Sequence, residues 1–152
     1  MKKIALIFLM LFPCFVHAFE IKEVVLVNGF VDKRECEISG NSIAAATESA
    51  LRYNNIQLKK ERSANSVEVS VWGSASELEG TNTCALTFGI TVSYLTKLPV
   101  KIGSLQKTID GEFNLCTRKI QIWGGPKYDF QSRVNNRLKI FTDECLSQIR
   151  NL

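Results

Sequence analysis

At 152 residues, 45% of them apolar and 22% charged, the chain can bury one sizeable core and lacks the bias of a disordered, collagen-like or membrane-filling sequence. Its formal charge of +4 comes from 19 basic against 15 acidic residues, too small an excess to argue for nucleic-acid binding. Its one histidine, His17, lies near the N-terminus, so later stretches have no imidazole for Ser-His-Asp or Cys-His catalysis or for most zinc sites.

Met1-Lys2-Lys3 is followed by an apolar run from Ile4 to Val16 and by Val16-His17-Ala18. A basic start, a short greasy run and small or apolar residues at −3 and −1 read as a secretory signal peptide over 1–18, cut after Ala18. The run is shorter than the ~20 residues of a membrane span. Leu11-Phe12-Pro13-Cys14 departs from a lipoprotein cleavage site, which wants a small residue before the cysteine. Residues 19–152 then form a single domain. The cut takes Lys2 and Lys3 and no acid, so the exported chain is nearly neutral, and no transmembrane span is expected in it.

It keeps Cys36, Cys84, Cys116 and Cys145. An even cysteine count in an exported chain reads as two disulfides. No Cys-x-x-Cys pair is present, which argues against zinc.

Phe19–Val31 reads as a first strand ending near the Asn28-Gly29 turn signal. Ser39 to Ser42 offer N-cap oxygens to a helix reaching Tyr53, with Ile43, Ala46 or Thr47, Ala50 and Leu51 as its buried stripe. Lys59-Lys60-Glu61-Arg62 is a charged connector. Val67, Val69 and Val71 alternate with Glu68, Ser70 and Trp72 in a second strand, and Gly73–Thr83 is a polar loop.

From Cys84 to Thr96 the even positions are Cys84, Leu86, Phe88, Ile90, Val92 and Tyr94, and the odd ones are mostly small or polar. This period-two pattern predicts a central strand whose even face is buried. Leu98-Pro99 to Gly103-Ser104 reads as a turn, and about 108–123 as a fourth strand. Its hydrophobic parity switches between Leu115 and Ile120, so a bulge is expected near Thr117-Arg118. Gly124-Gly125-Pro126 breaks it. Asp129 caps a last helix in which Phe130, Val134, Leu138, Phe141, Cys145 and Ile149 share one face.

The order β-α-β-β-β-α predicts an α+β fold, two helices packed on one face of a four-stranded mixed sheet. The first helix crosses over between parallel strands, and the later strands pair as hairpins. In element order alone the chain is similar to the lipopolysaccharide-assembly lipoprotein of the outer membrane and resembles small uncharacterised exported bacterial domains. No shared motif accompanies that likeness, so no functional residue is carried over.

The topology also pairs the cysteines. Cys36 and Cys84 both lie at the pole where strand one ends. Cys116 is seven residues back from Trp123, or ~23 Å of strand; Cys145 is 15 residues on from Phe130, or ~22 Å of helix. The expected pairs are Cys36–Cys84 and Cys116–Cys145. The opposite pole should collect Lys22, Arg52, Lys59, Lys60, Arg62, Lys97, Lys101, Lys107 and Arg150, against Glu20, Glu23, Glu61 and Asp110. The first pole holds Glu35, Glu37, Glu77, Glu79 and Asp129 with Lys33, Arg34 and Lys127.

For catalysis the chain offers little. With its cysteines paired it has no thiolate, and it has no Walker loop or dinucleotide fingerprint. The close acidic pairs Glu77/Glu79 and Asp143/Glu144 are the material considered for carboxylate chemistry. The expectation is a non-enzymatic periplasmic or secreted module, with no catalytic residue, cofactor, metal or nucleic acid. Its partner would be an envelope protein or an anionic envelope component, met by Lys59, Lys60, Arg62, Lys97, Lys101 and Lys107. Trp72 either packs over a loop or edge or anchors a shallow binding face. The alternative is a small inhibitor or immunity protein that blocks a hydrolase or toxin with its Gly73–Thr83 or Lys97–Ser104 loop.

Overall fold

A computed structural model describes residues 20–30, 36–78, 83–124 and 127–152, with side chains described from Phe130 in the last stretch. The signal-peptide reading, Lys33, Arg34, Glu35, Glu79 and the side chains of Lys127 and Asp129 lie outside the described residues. In order the elements are β1 (Glu23–Phe30), α1 (Gly40–Tyr53), β2 (Gln57–Lys59), β3 (Ser66–Glu77), β4 (Cys84–Ile102), β5 (Leu105–Trp123) and α2 (Lys127–Arg150). The class is α+β, with two helices, a mixed sheet and two disulfides.

The sheet has five strands rather than four, in the order β2-β1-β3-β4-β5. The extra strand, β2, is three residues long and pairs parallel with Glu23–Val25 of β1. So short a segment carries no readable alternation; only its partner makes it a strand. The middle strand is β3, and the Cys84 strand sits between it and β5. β1 and β3 are parallel neighbours, and β3-β4-β5 is an antiparallel meander.

Ser39 starts α1 by accepting the Ser42 amide at 3.3 Å, and the helix ends at Asn54, before Asn55 in the left-handed region at φ 60°. Asn28-Gly29 is not a turn but part of β1; Asn28 Oδ1 accepts from the Phe30 amide and Nδ2 donates to the Gly40 carbonyl. α2 begins at Lys127, so Asp129 stands inside its first turn rather than at its cap.

One apolar core joins these elements. The even residues of β4 from Leu86 to Val92 pack with Val67, Val69 and Val71 of β3, Ile43 and Leu51 of α1, and Phe130, Val134, Leu138 and Ile149 of α2. The two helices touch: Asn135 Nδ2 donates to Ser42 Oγ at 3.1 Å and Asn54 Nδ2 to Asp143 Oδ1 at 2.7 Å. Cys36–Cys84 and Cys116–Cys145 are the disulfides, with Cα atoms 5.9 and 5.5 Å apart. The second ties α2 to β5. Beside it, Arg118 reaches Glu144 at 3.3 Å and donates to Gln148 at 2.8 Å.

The bulge falls two residues earlier than expected. Val92 pairs with Cys116 and Ser93 with Asn114, leaving Leu115 as the extra residue. It brings Phe113 and Ile109 onto the same face as Ile120 and Ile122, which resolves the parity switch in the sequence.

Candidate functional site

The largest departure from expectation lies at the end of β4. Leu98-Pro99 does not turn. β4 continues to Ile102 and β5 starts at Leu105, three residues before the expected Thr108, so the reversal is Gly103-Ser104 alone. Gly103 has φ +61°, as the first central residue of a two-residue hairpin turn of the II′ pattern requires. Pro99 is tolerated because β3 pairs with β4 only as far as Leu95, so one side of β4 is open there.

Thr96–Ile102 and Leu105–Gly111 therefore form a two-stranded arm beyond the rest of the sheet. Seven residues of strand make it ~23 Å long. Its side chains are largely solvent-exposed, and Ile102 and Leu105 at the tip retain 72% and 66% of their accessible surface.

The arm separates the expected basic residues into two groups. Lys97, Lys101 and Lys107 project with it and, among the described residues, have no carboxylate within ion-pair distance. Lys59 ends β2 and Lys60 and Arg62 follow it, Arg62 reaching the arm's root. Lys59 pairs with Glu23, and Arg62 Nε lies 2.7 Å from Glu68 Oε2. Lys22 and Arg52 are also paired, with Glu20 at 3.2 Å and Glu48 at 2.6 Å, and Arg150 donates to the Asn54 carbonyl at 3.3 Å. Four residues of the basic pole are thus locally neutralised; Lys60, Arg150 and the three arm lysines have no carboxylate partner among the described residues, and three of these five stand on the arm. Arg62 and Lys97 meet across an open cleft whose other walls include Leu95, Thr96, Asp110 and Glu112.

Trp72 belongs to a different face. It is half-buried, lies over Gly89 on the neighbouring strand, and donates from Nε1 to Thr91 Oγ1 at 3.1 Å. Thr91 lies 3.4 Å from Thr117, which is bonded to Asn114. These contacts make Trp72 a packed, hydrogen-bonded part of the sheet surface, away from the arm lysines.

Of the two loops considered for blocking an enzyme, Gly73–Glu77 is strand β3 and Lys97–Ile102 is strand β4. Among the described residues, no three His, Cys, Asp or Glu side chains cluster as metal ligands, and no helix is long and apolar enough to cross a membrane. In the sequence Pro99 masks the arm, because a proline commonly ends a strand. The signal that finds it is the spacing of Leu98, Val100, Ile102 and Leu105 around a Gly-Ser pair.

No family model matches the sequence, and no curated protein matches it. Among solved structures, rare lipoprotein B from Shewanella oneidensis is similar at a TM-score of 0.38 and 12% identity, over 86% of this chain and 95% of that one. A hypothetical protein from Chlamydia trachomatis reaches 0.40 and 8%, over 86% and 96%. A minor lipoprotein from Acinetobacter baumannii reaches 0.29 and 13%, over 86% and 90%. The element order expected from the sequence is the one observed, apart from β2, but at these TM-scores the likenesses carry no argument about what this chain does.

Proposed function

We propose that this chain is an exported, non-enzymatic interaction module. A signal peptide over 1–18 precedes a single domain, and the module meets an envelope component or envelope protein through the β4–β5 arm. The observation that carries this reading is the arm, a ribbon that projects past the packed sheet with apolar side chains at its tip and three unpaired lysines along it. A soluble fold seldom exposes such a feature without a use for it. Two disulfides support the exported half, since they persist where thiols are not kept reduced. Both helices lie toward the even face of β4, which leaves the Trp72–Thr91–Thr117 face as the second surface available for contact.

The test is a capture from envelope extract with the purified protein, run beside Lys97→Glu/Lys101→Glu/Lys107→Glu. A component retained by the first and lost by the second, at equal melting temperature, supports the arm. Identical catches remove it and turn attention to Trp72. An inhibitor or immunity protein would use the same arm, and a hydrolase recovered in an arm-dependent way decides for that alternative.

A further inference from the structure

We infer that the arm's occupant is the interface of an anionic phospholipid bilayer, into which it lays its apolar face. The inference rests on the reading of the arm as the binding element. Residues paired across an antiparallel ladder share a face. Leu98 is opposite Ile109, Val100 opposite Lys107, and Ile102 opposite Leu105, and nearer the root Tyr94 is opposite Phe113. This face continues the one that packs on the helices; Tyr94 still packs against the core and Leu98 is half-buried over Gly111, but beyond them the face is open: Phe113 is 50%, Ile109 44%, Ile102 72% and Leu105 66% exposed. The other face pairs Lys97 with Asp110, Pro99 with Thr108 and Lys101 with Gln106. The arm is thus amphipathic at period two, with Lys107 as the single charge on its greasy side.

Charge and size together select the occupant. From Thr96 to Gly111 the arm carries three lysines against one acid, Asp110, across the ladder from Lys97. A second copy laid face to face would bring the two Lys107 ammonium groups into one apolar strip, where they repel and lose water. A ribbon ~23 Å long and two strands wide also offers only a few hundred Å², below the ~800 Å² per partner of a stable protein interface. A bilayer surface bearing phosphates asks for neither area nor a matching shape. Its headgroup boundary accepts Ile102, Leu105, Ile109 and Leu98, as it accepts the apolar side of an interfacial helix. Lys97, Lys101 and Lys107 have stems long enough to reach phosphates while the ribbon lies flat.

Flotation of the disulfide-bonded protein on phosphatidylglycerol/phosphatidylcholine vesicles, beside pure phosphatidylcholine vesicles, tests this. The expected result is flotation with the anionic vesicles only, lost on raising salt. Lys97→Gln/Lys101→Gln/Lys107→Gln should weaken it roughly a hundredfold, and Ile102→Asp at least tenfold, each with an unchanged circular dichroism spectrum. Equal flotation on both vesicles, or full flotation of Ile102→Asp, overturns the inference. Failure to float, with an arm-dependent catch from envelope extract retained, overturns the bilayer and leaves the interaction module standing; failure of both removes the two together. A doubled mass in solution that Ile102→Asp abolishes would assign the face to a second copy instead.

Discussion

Trp72 lies over Gly89, its register partner on β4, so that a Cβ added to Gly89 would come 2.7 Å from Trp72 Cζ2 and closer still to the Arg118 carbonyl. The glycine is the floor of an aromatic slot, and the Thr91 hydroxyl holds the indole in it. Gly89→Ala should therefore destabilise the fold by about 1–3 kcal/mol through overpacking. Trp72→Phe forfeits the indole N–H hydrogen bond and one of the two fused rings over Gly89, a loss of about 1–3 kcal/mol. Urea titration of the two variants checks this, and an unshifted midpoint for Gly89→Ala would show that the slot has slack.

Each disulfide joins segments far apart in sequence, 48 residues for Cys36–Cys84 and 29 for Cys116–Cys145. Replacing either pair with alanine should cost about 2–5 kcal/mol. The consequences should differ by place. Loss of Cys116–Cys145 frees the second half of α2 from β5, whereas loss of Cys36–Cys84 loosens the approach to α1. Amide exchange should show each change in its own segment; uniform loss of protection in both variants would mean that the two bonds stabilise only the whole.

Glu68 is 5% exposed on the sheet surface, with Arg62 Nε 2.7 Å from Oε2, and with Arg62 Nη2 and the Ser70 hydroxyl donating to Oε1 at 3.4 and 3.0 Å. Removing the cation leaves a buried carboxylate short of a partner. Arg62→Ala should destabilise by about 1–2 kcal/mol, less than for a fully enclosed pair because Arg62 itself is well exposed. Glu68→Gln placed in that background should recover part of the loss. If the double variant is less stable than Arg62→Ala, the pairing argument is wrong.

Stability and binding should separate at the arm. Lys97, Lys101 and Lys107 are exposed and unpaired, so changing them should move the unfolding free energy by no more than about 0.5 kcal/mol each. Leu138→Ala, in the middle of the buried face of α2, should cost about 2–5 kcal/mol. Parallel denaturation and capture experiments on both variants read the contrast directly. An arm variant that unfolds as easily as Leu138→Ala would mean that the arm holds the fold together.

Much of the framework was legible because it is local or periodic. The Cys84–Tyr94 alternation, the α2 stripe from Phe130 to Ile149 and the Ser39 cap are written in side-chain spacing, and that spacing survives folding. Both cysteine pairings followed from element order and element length, since rise per residue sets depth along a strand or helix.

What the spacing could not supply was partnership. Gln57–Lys59 is a strand only because Glu23–Val25 lies beside it, and Leu115 bulges only because β4 holds Cys116 opposite Val92. Pro99 ends no strand because β3 begins only at Ser66, opposite Leu95, and does not reach it. The amino-acid sequence determined which residues are greasy, which are basic and where the chain can turn. Tertiary structure alone decided that three of the lysines would stand unpaired on a projecting ribbon while Lys59 and Arg62 found carboxylates, because ion pairing depends on which elements lie side by side, and no local pattern records that.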